Sequence, residues 1–193
     1  MACGVRRPLR EIKKGDRVIV DESTGETALV VCMVCTKVEG GKLNLVELPS
    51  KVTQQKGGDV KDDGDGDSLL VTEYHPILLD GQWQYPVDVS PSRSRTCEEI
   101  YSFVLSSGHM MVIEGYQCVG LGHNFTSDPV VAHPYFGSKR VLDDLRNADQ
   151  TGYEAGRVTL RSRPFVYNSS TELIEGLRAT VALPQHSSDA LSA

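Results

Sequence analysis

Thr72 and His75 are the residues of this chain best suited to chemistry. They stand three apart in LLVTEYHPILL, Leu69 to Leu79, at the end of an apolar run that Pro76 interrupts. A buried strand rarely carries a titratable ring unless something satisfies it. A hydrogen-bonding hydroxyl and a proton-carrying imidazole could converge on one backbone amide, which suits chemistry on a peptide bond. Five cysteines add thiols: Cys3, Cys32, Cys35, Cys97 and Cys118. Their odd number and irregular spacing fit no disulfide framework. Without a secretion signal they are expected reduced, most of them as small buried apolar residues.

Two arrangements that could hold a metal are weaker than they look. Cys32-x-x-Cys35 lies in a strand-like run, where residues three apart point to opposite faces, so the thiols diverge and core packing is expected. Asp63, Asp65 and Asp67 have calcium-loop spacing, but Ser68 and Tyr74 stand where an EF-hand loop needs Gly and Glu. Residues 54–68 are therefore expected to be a mobile acidic loop, and no metal or organic cofactor is expected. Gly-rich phosphate loops and Ser-centred nucleophile elbows are absent.

The elements that must position these side chains read mostly as short strands. GDRVIV (15–20) alternates after a turn; Glu26–Val38 is a long β-branched run. With the Gly40-Gly41 turn and Lys42–Leu48 it reads as a hairpin. LLVTEYHPILL follows, then a Gly81 turn and a strand over 82–89. Residues 98–107, a Gly108 turn and 109–115 read as another hairpin, with a further strand over 116–122. SPSRSRT (90–96) reads as a basic connector. Helical periodicity comes late: 138–148 carries Val141, Leu142 and Leu145 on one face. GRVTLRSR (156–163) reads as a strand, and 170–179 as a short helix with an acidic first turn. No internal repeat of 20–50 residues is present.

The chain has 193 residues, 39% hydrophobic and 24% charged, with a formal charge of −6. That composition is globular and the length suits one domain, spanning 1–181 with a flexible tail over 182–193. The negative charge and the lack of a basic stripe argue against nucleic acid as a partner. No apolar run approaches the roughly 18 residues that span a bilayer, so no membrane partner is expected. The N-terminal stretch is too polar for a signal peptide, and a cytoplasmic location is expected.

In order, these pieces resemble the Hint superfamily of hedgehog autoprocessing domains and inteins, closest to its Vint branch. PLREIKKGDRVIV (8–20) is similar to the family's P-I-x-x-I-x-x-G-D-x-V opening. LLVTEYHPI (69–77) is similar to its T-x-x-H block, and IYSFVLSSGHMMVIEGYQCVGLGHN (100–124) to its closing Y-x-x-x-V…H…G…GH block. VVAHPYFGSKRVLDDL (130–145) and GRVTL are similar to an extension peculiar to Vint. The resemblance implies an all-β, horseshoe-like fold of pseudo-twofold symmetry, with a core over about 8–124 and an extension with short helices over 125–181. It also implies self-cleavage, in which a leading cysteine attacks the carbonyl before it and the amide becomes a thioester.

Carried onto this chain, the resemblance assigns Cys3 as nucleophile on the Ala2–Cys3 bond. His75 becomes the proton donor to the leaving nitrogen, Thr72 the residue that polarises the amide, and His109 a second histidine. Departures from the pattern narrow the activity. Cys3 and Gly15 enclose 11 residues, where the family spends nearly twice that. Ser102 stands where an aspartate often follows the tyrosine. His123-Asn124 mimics an intein's terminal pair, but Phe125 follows in place of Cys, Ser or Thr, so splicing lacks an acceptor and Asn124 is read as a loop residue.

Two functions follow. One is a self-cleaving module, active or decayed, whose substrate is its own upstream polypeptide; cleavage serves a purpose if a longer chain precedes Met1. The other is a non-catalytic interaction domain on the Hint scaffold. Vint branches accompany von Willebrand A and U-box domains, which implies ubiquitin-pathway proteins as partners.

Overall fold

The computed structural model describes residues 6–54 and 68–178. Cys3, all of the expected acidic loop over 54–68 except its end residues Gln54 and Ser68, and the expected tail over 182–193 lie outside them. The fold is all-β with a few short helices.

Gly15 (φ +86°) turns the chain into the first strand, β1 (Arg17–Asp21), which points Val18 and Val20 inward. The next, β2 (Glu26–Lys37), buries four residues in succession, Cys32 to Cys35. A strand buried on both faces needs partners and cover all round. Then come β3 (Lys42–Pro49), α1 (Lys51–Gln54), β4 (Ser68–Thr72), β5 (Ile77–Leu79), β6 (Gln82–Gln84) and α2 (Pro86–Val89). They are followed by β7 (Ser92–Thr96), β8 (Glu99–Leu105), β9 (Met110–Ile113) and β10 (Tyr116–Val119). The last part holds α3 (Lys139–Ala148), α4 (Gln150–Ala155), β11 (Arg157–Leu160), β12 (Phe165–Tyr167) and β13 (Ile174–Leu177).

The expected β2–β3 hairpin does not form. β2 pairs antiparallel with β1 and β8 and parallel with β11, while β3 lies between β4 and β7 in another sheet. Gly40 and Gly41, both at positive φ, bend the chain from one sheet into the next instead of reversing it. The returning chain bends beside them, with Val38 N–H on the Glu98 carbonyl and Cys97 N–H on the Gly41 carbonyl, each at 2.9 Å. β2–β3 and β7–β8 thus form one long, bent antiparallel ribbon.

Four further expectations are corrected. β8 does not pair with β9; β9 pairs with β10 across a two-residue turn, Glu114-Gly115, with both φ positive. Residues 90–96 are no connector, because β7 is held by backbone pairing to β3. The 82–89 stretch stops as a strand at Gln84, and Pro86 opens the short α2. Residues 174–177 form β13, paired with β12, rather than a helix. The helix over 138–148 stands, with Ser138 as its N-cap accepting from Arg140 N–H.

Apolar clusters fill both faces of the β2–β8 pair. Val18, Val20, Met33, Phe103 and Met111 share one. Cys32, Val34 and Val104 share the other with Tyr135, Val141, Leu145, Tyr153 and Val158 from the C-terminal part. A third joins β3 and β4 to Ile77, Tyr116 and Cys118. The seam between the ribbon and the β5–β10 sheet positions the site.

Candidate functional site

Thr72 ends β4, and the chain leaves its sheet at once. A turn closed by His75 N–H on the Thr72 carbonyl (3.2 Å) carries it past Pro76 into β5 of the neighbouring sheet. Pro76 has no N–H to extend the ladder, but its carbonyl accepts from Val119 N–H at 3.3 Å. The T-x-x-H spacing is therefore the corner between two sheets.

His75 and Thr72 line one cavity of about 230 Å³, together with Leu9, Ser102, Gly120 and Tyr101. The His75 ring hydrogen-bonds the Val119 backbone, and burial holds its pKa below the usual histidine value despite that bond. A bond that favours the protonated ring is one the ring donates to a carbonyl. One nitrogen is thus committed as donor, and the other keeps its lone pair.

Gly120 lets the strands approach at this point. A Cβ there would lie 2.9 Å from the Phe103 carbonyl oxygen. Its N–H donates to the His109 carbonyl at 2.7 Å, so His109 braces the cavity wall from behind through its backbone. His109 itself stands at φ +55°, and its buried Nδ1 has no hydrogen-bond partner among the described residues.

The opposite wall carries a charged group. Glu99 pairs with Lys37 and accepts from the Tyr101 hydroxyl at 2.7 Å; these contacts hold its carboxyl down to about 2. Burial and that carboxylate push the Tyr101 phenol up to about 12. Glu99 is thus an anion tied to Lys37, unfit as a base near neutrality.

Behind the corner lies a histidine that sequence reasoning noticed only as part of an intein-like pair. His123 is 3% exposed, and its Nδ1 accepts from Phe125 N–H at 3.0 Å. Burial first, then the charges of His109, His133 and His75, push its pKa down to about 4. His133, passed over in the sequence, repeats the motif, with Tyr135 and Phe136 N–H both donating to its Nδ1 at 3.1 Å. An aromatic residue two places after each histidine is the shared signal. Gly137 leaves room for the His123 ring, since a Cβ there would come within 3.0 Å of it. Asn124 stands at φ +57° with its N–H on the Gly137 carbonyl, as a loop residue would.

The His123 shift makes a stability prediction. The unfolded ring titrates near 6.5 and the folded ring near 4, so in acid the unfolded chain takes the proton first. The contribution is complete above pH 6.5 and lost as pH falls toward 4. At 1.36 kcal/mol per pH unit the gap amounts to about 3 kcal/mol. Between pH 7 and pH 4, denaturant unfolding of the natural chain should lose about that much more stability than His123→Gln. Parallel losses would show that the folded ring titrates normally.

The buried cysteines are poor nucleophiles. Burial pushes Cys32 and Cys35 to about 11 and Cys118 to about 12. Cys32 packs on the helix-bearing face of β2, whereas Cys35 hydrogen-bonds toward Glu99 on the other. Among the described residues, no three His, Cys, Asp or Glu side chains are grouped to hold a metal ion, and no helix is long and apolar enough to cross a membrane.

Thr72, His75 and Ser102 are brought to one cavity; His109 lies behind its wall; Cys3 is outside the described residues. No curated protein matches the chain. A profile of the Vint family, described as a Hint-domain, matches residues 1–176. With nearly the whole chain matched and an all-β fold whose sheets meet at the T-x-x-H corner, the chain belongs to the Vint family of Hint domains, modules of autoprocessing type.

Proposed function

We propose that this domain cuts the peptide bond before Cys3. The neutral His75 ring takes the thiol proton through its free lone pair while the sulfur attacks the Ala2 carbonyl carbon. The tetrahedral oxyanion collapses, the ring returns its proton to the Cys3 nitrogen, and the C–N bond breaks. The products are an Ala2–Sγ thioester and a free Cys3 amine. A ring whose pKa is held low is a strong acid once protonated, which the poor amide leaving group requires. Thr72 hydrogen-bonds the amide and, with backbone N–H groups, steadies the oxyanion. Water or an external thiol then resolves the thioester, releasing the upstream polypeptide. That polypeptide is the substrate, and the acyl shift uses only groups of the chain itself.

The observation that carries this reading is that Leu9, six residues after Cys3, lines the same cavity as Thr72 and His75. Fusing a reporter protein ahead of Ala2 tests it. Dithiothreitol or hydroxylamine should release the reporter, seen by mass, and Cys3→Ala should abolish release. An intact fusion that resists hydroxylamine would return the domain to a scaffold role.

A further inference from the structure

Upstream of the first strand, the chain is held at one corner by more than packing. The Arg6 guanidinium pairs with the Glu114 carboxylate, and its Nη2 donates to Ser50 Oγ at 3.1 Å. Both partners are fixed. Ser50 is 2% exposed and also accepts from Val52 N–H at 3.3 Å. Glu114 sits at φ +52° in the β9–β10 turn, and its carbonyl accepts from Lys51 N–H at 3.0 Å. The approach is close enough that a Cβ on Gly115 would lie 2.7 Å from Lys51 Cβ. Two further ties follow along the chain: Arg7 pairs with Asp16 at 2.7 Å, and Ile12 is buried in the core beside Leu9.

We infer that Arg6 is a positioning residue, the anchor that holds the segment leading to Leu9, a residue lining the Thr72–His75 cavity, against the β9–β10 turn. The inference rests on the self-cleavage reading and deepens it. Arg6 touches no reacting atom. It acts because a planar guanidinium can satisfy a carboxylate and a hydroxyl from two different segments at once, which an ammonium does less well. Ile113, the residue before Glu114, lines the same cavity, as does Leu9, three residues after Arg6.

The reporter fusion supplies one test and amide hydrogen exchange the other. Arg6→Ala should slow dithiothreitol-induced release about tenfold or more, as a displaced reacting group does. The pH profile of release should keep its shape, since His75 is untouched. Exchange over residues 6–12 should quicken while β2 and β8 stay protected. Arg6→Lys should be intermediate. Arg6→Glu should be slower than Arg6→Ala, and the double variant Arg6→Glu with Glu114→Arg should recover much of the loss. Normal release in Arg6→Glu, or unchanged exchange over residues 6–12 in Arg6→Ala, would overturn the inference. If the natural fusion never cleaves, the self-cleavage reading fails, and the exchange result alone then upholds or overturns the anchor.

Discussion

Replacing His75 with glutamine is expected to slow reporter release roughly 10²–10⁴-fold, the range a positioned proton carrier supplies. Glutamine separates chemistry from folding, because its amide can still donate to the Val119 carbonyl that the imidazole contacts. It cannot shuttle a proton. The pH profile of the natural domain carries a second signature. With the ring's pKa held below 6.5, His75 is neutral at pH 7, ready to take the thiol proton. At dithiothreitol concentrations where the acyl shift limits, release should be level from about pH 7 to 8. It should decline only in acid, as the ring gains a proton below 6.5. A rate that instead rises into acid would show that His75 must begin protonated, reversing the order of proton transfers. Release by His75→Gln at the natural rate would remove the ring from the reaction.

The T-x-x-H spacing and the break at Pro76 were legible in the sequence, because they are local. The corner was not: LLVTEYHPILL read as one strand, whereas a turn closed by the His75-to-Thr72 backbone bond carries it from one sheet into another. Strand pairing was not legible in the same way. β2 was assigned to its sequence neighbour, but four successive buried residues require cover on both sides, and only distant segments, β8 and β11, provide it. SPSRSRT was taken for a connector because a strand with an almost wholly exposed face shows no apolar alternation; backbone bonds to β3 hold it. Residues 170–179 offered helix-like caps and acids, yet their pairing with β12 prevailed over local preference. His109 could be named from its place in a motif, but its orphan Nδ1 and its backbone hold on Gly120 arise only when β8, β9 and β10 meet.

Cutting the chain after Asn124 is expected to abolish folding, although the resemblance places the family's core before that residue. β11 is a parallel partner of β2 along Met33–Thr36, so its loss strips backbone bonds from the central strand. Tyr135, Val141, Leu145, Tyr153, Val158 and Leu160 are all buried against Cys32, Val34 and Val104. At roughly 1.5–3 kcal/mol per buried side chain, six of them amount to on the order of 10 kcal/mol, comparable with the whole stability of an ordinary domain. The shortened chain should show no cooperative melt and no near-ultraviolet dichroism. A milder variant guards against other causes of failure. Leu145→Ala, in the same cluster, should cost about 2–5 kcal/mol by denaturant unfolding with the slope unchanged. A truncated domain that melts cooperatively, or a Leu145→Ala cost below about 1 kcal/mol, would mean the C-terminal part is an accessory rather than half of the core. Should both losses appear, the extension is what keeps β2 and β8 in place. The Phe103 carbonyl, and through it Gly120 and the wall beside His75, then depend on helices far along the chain from the chemistry.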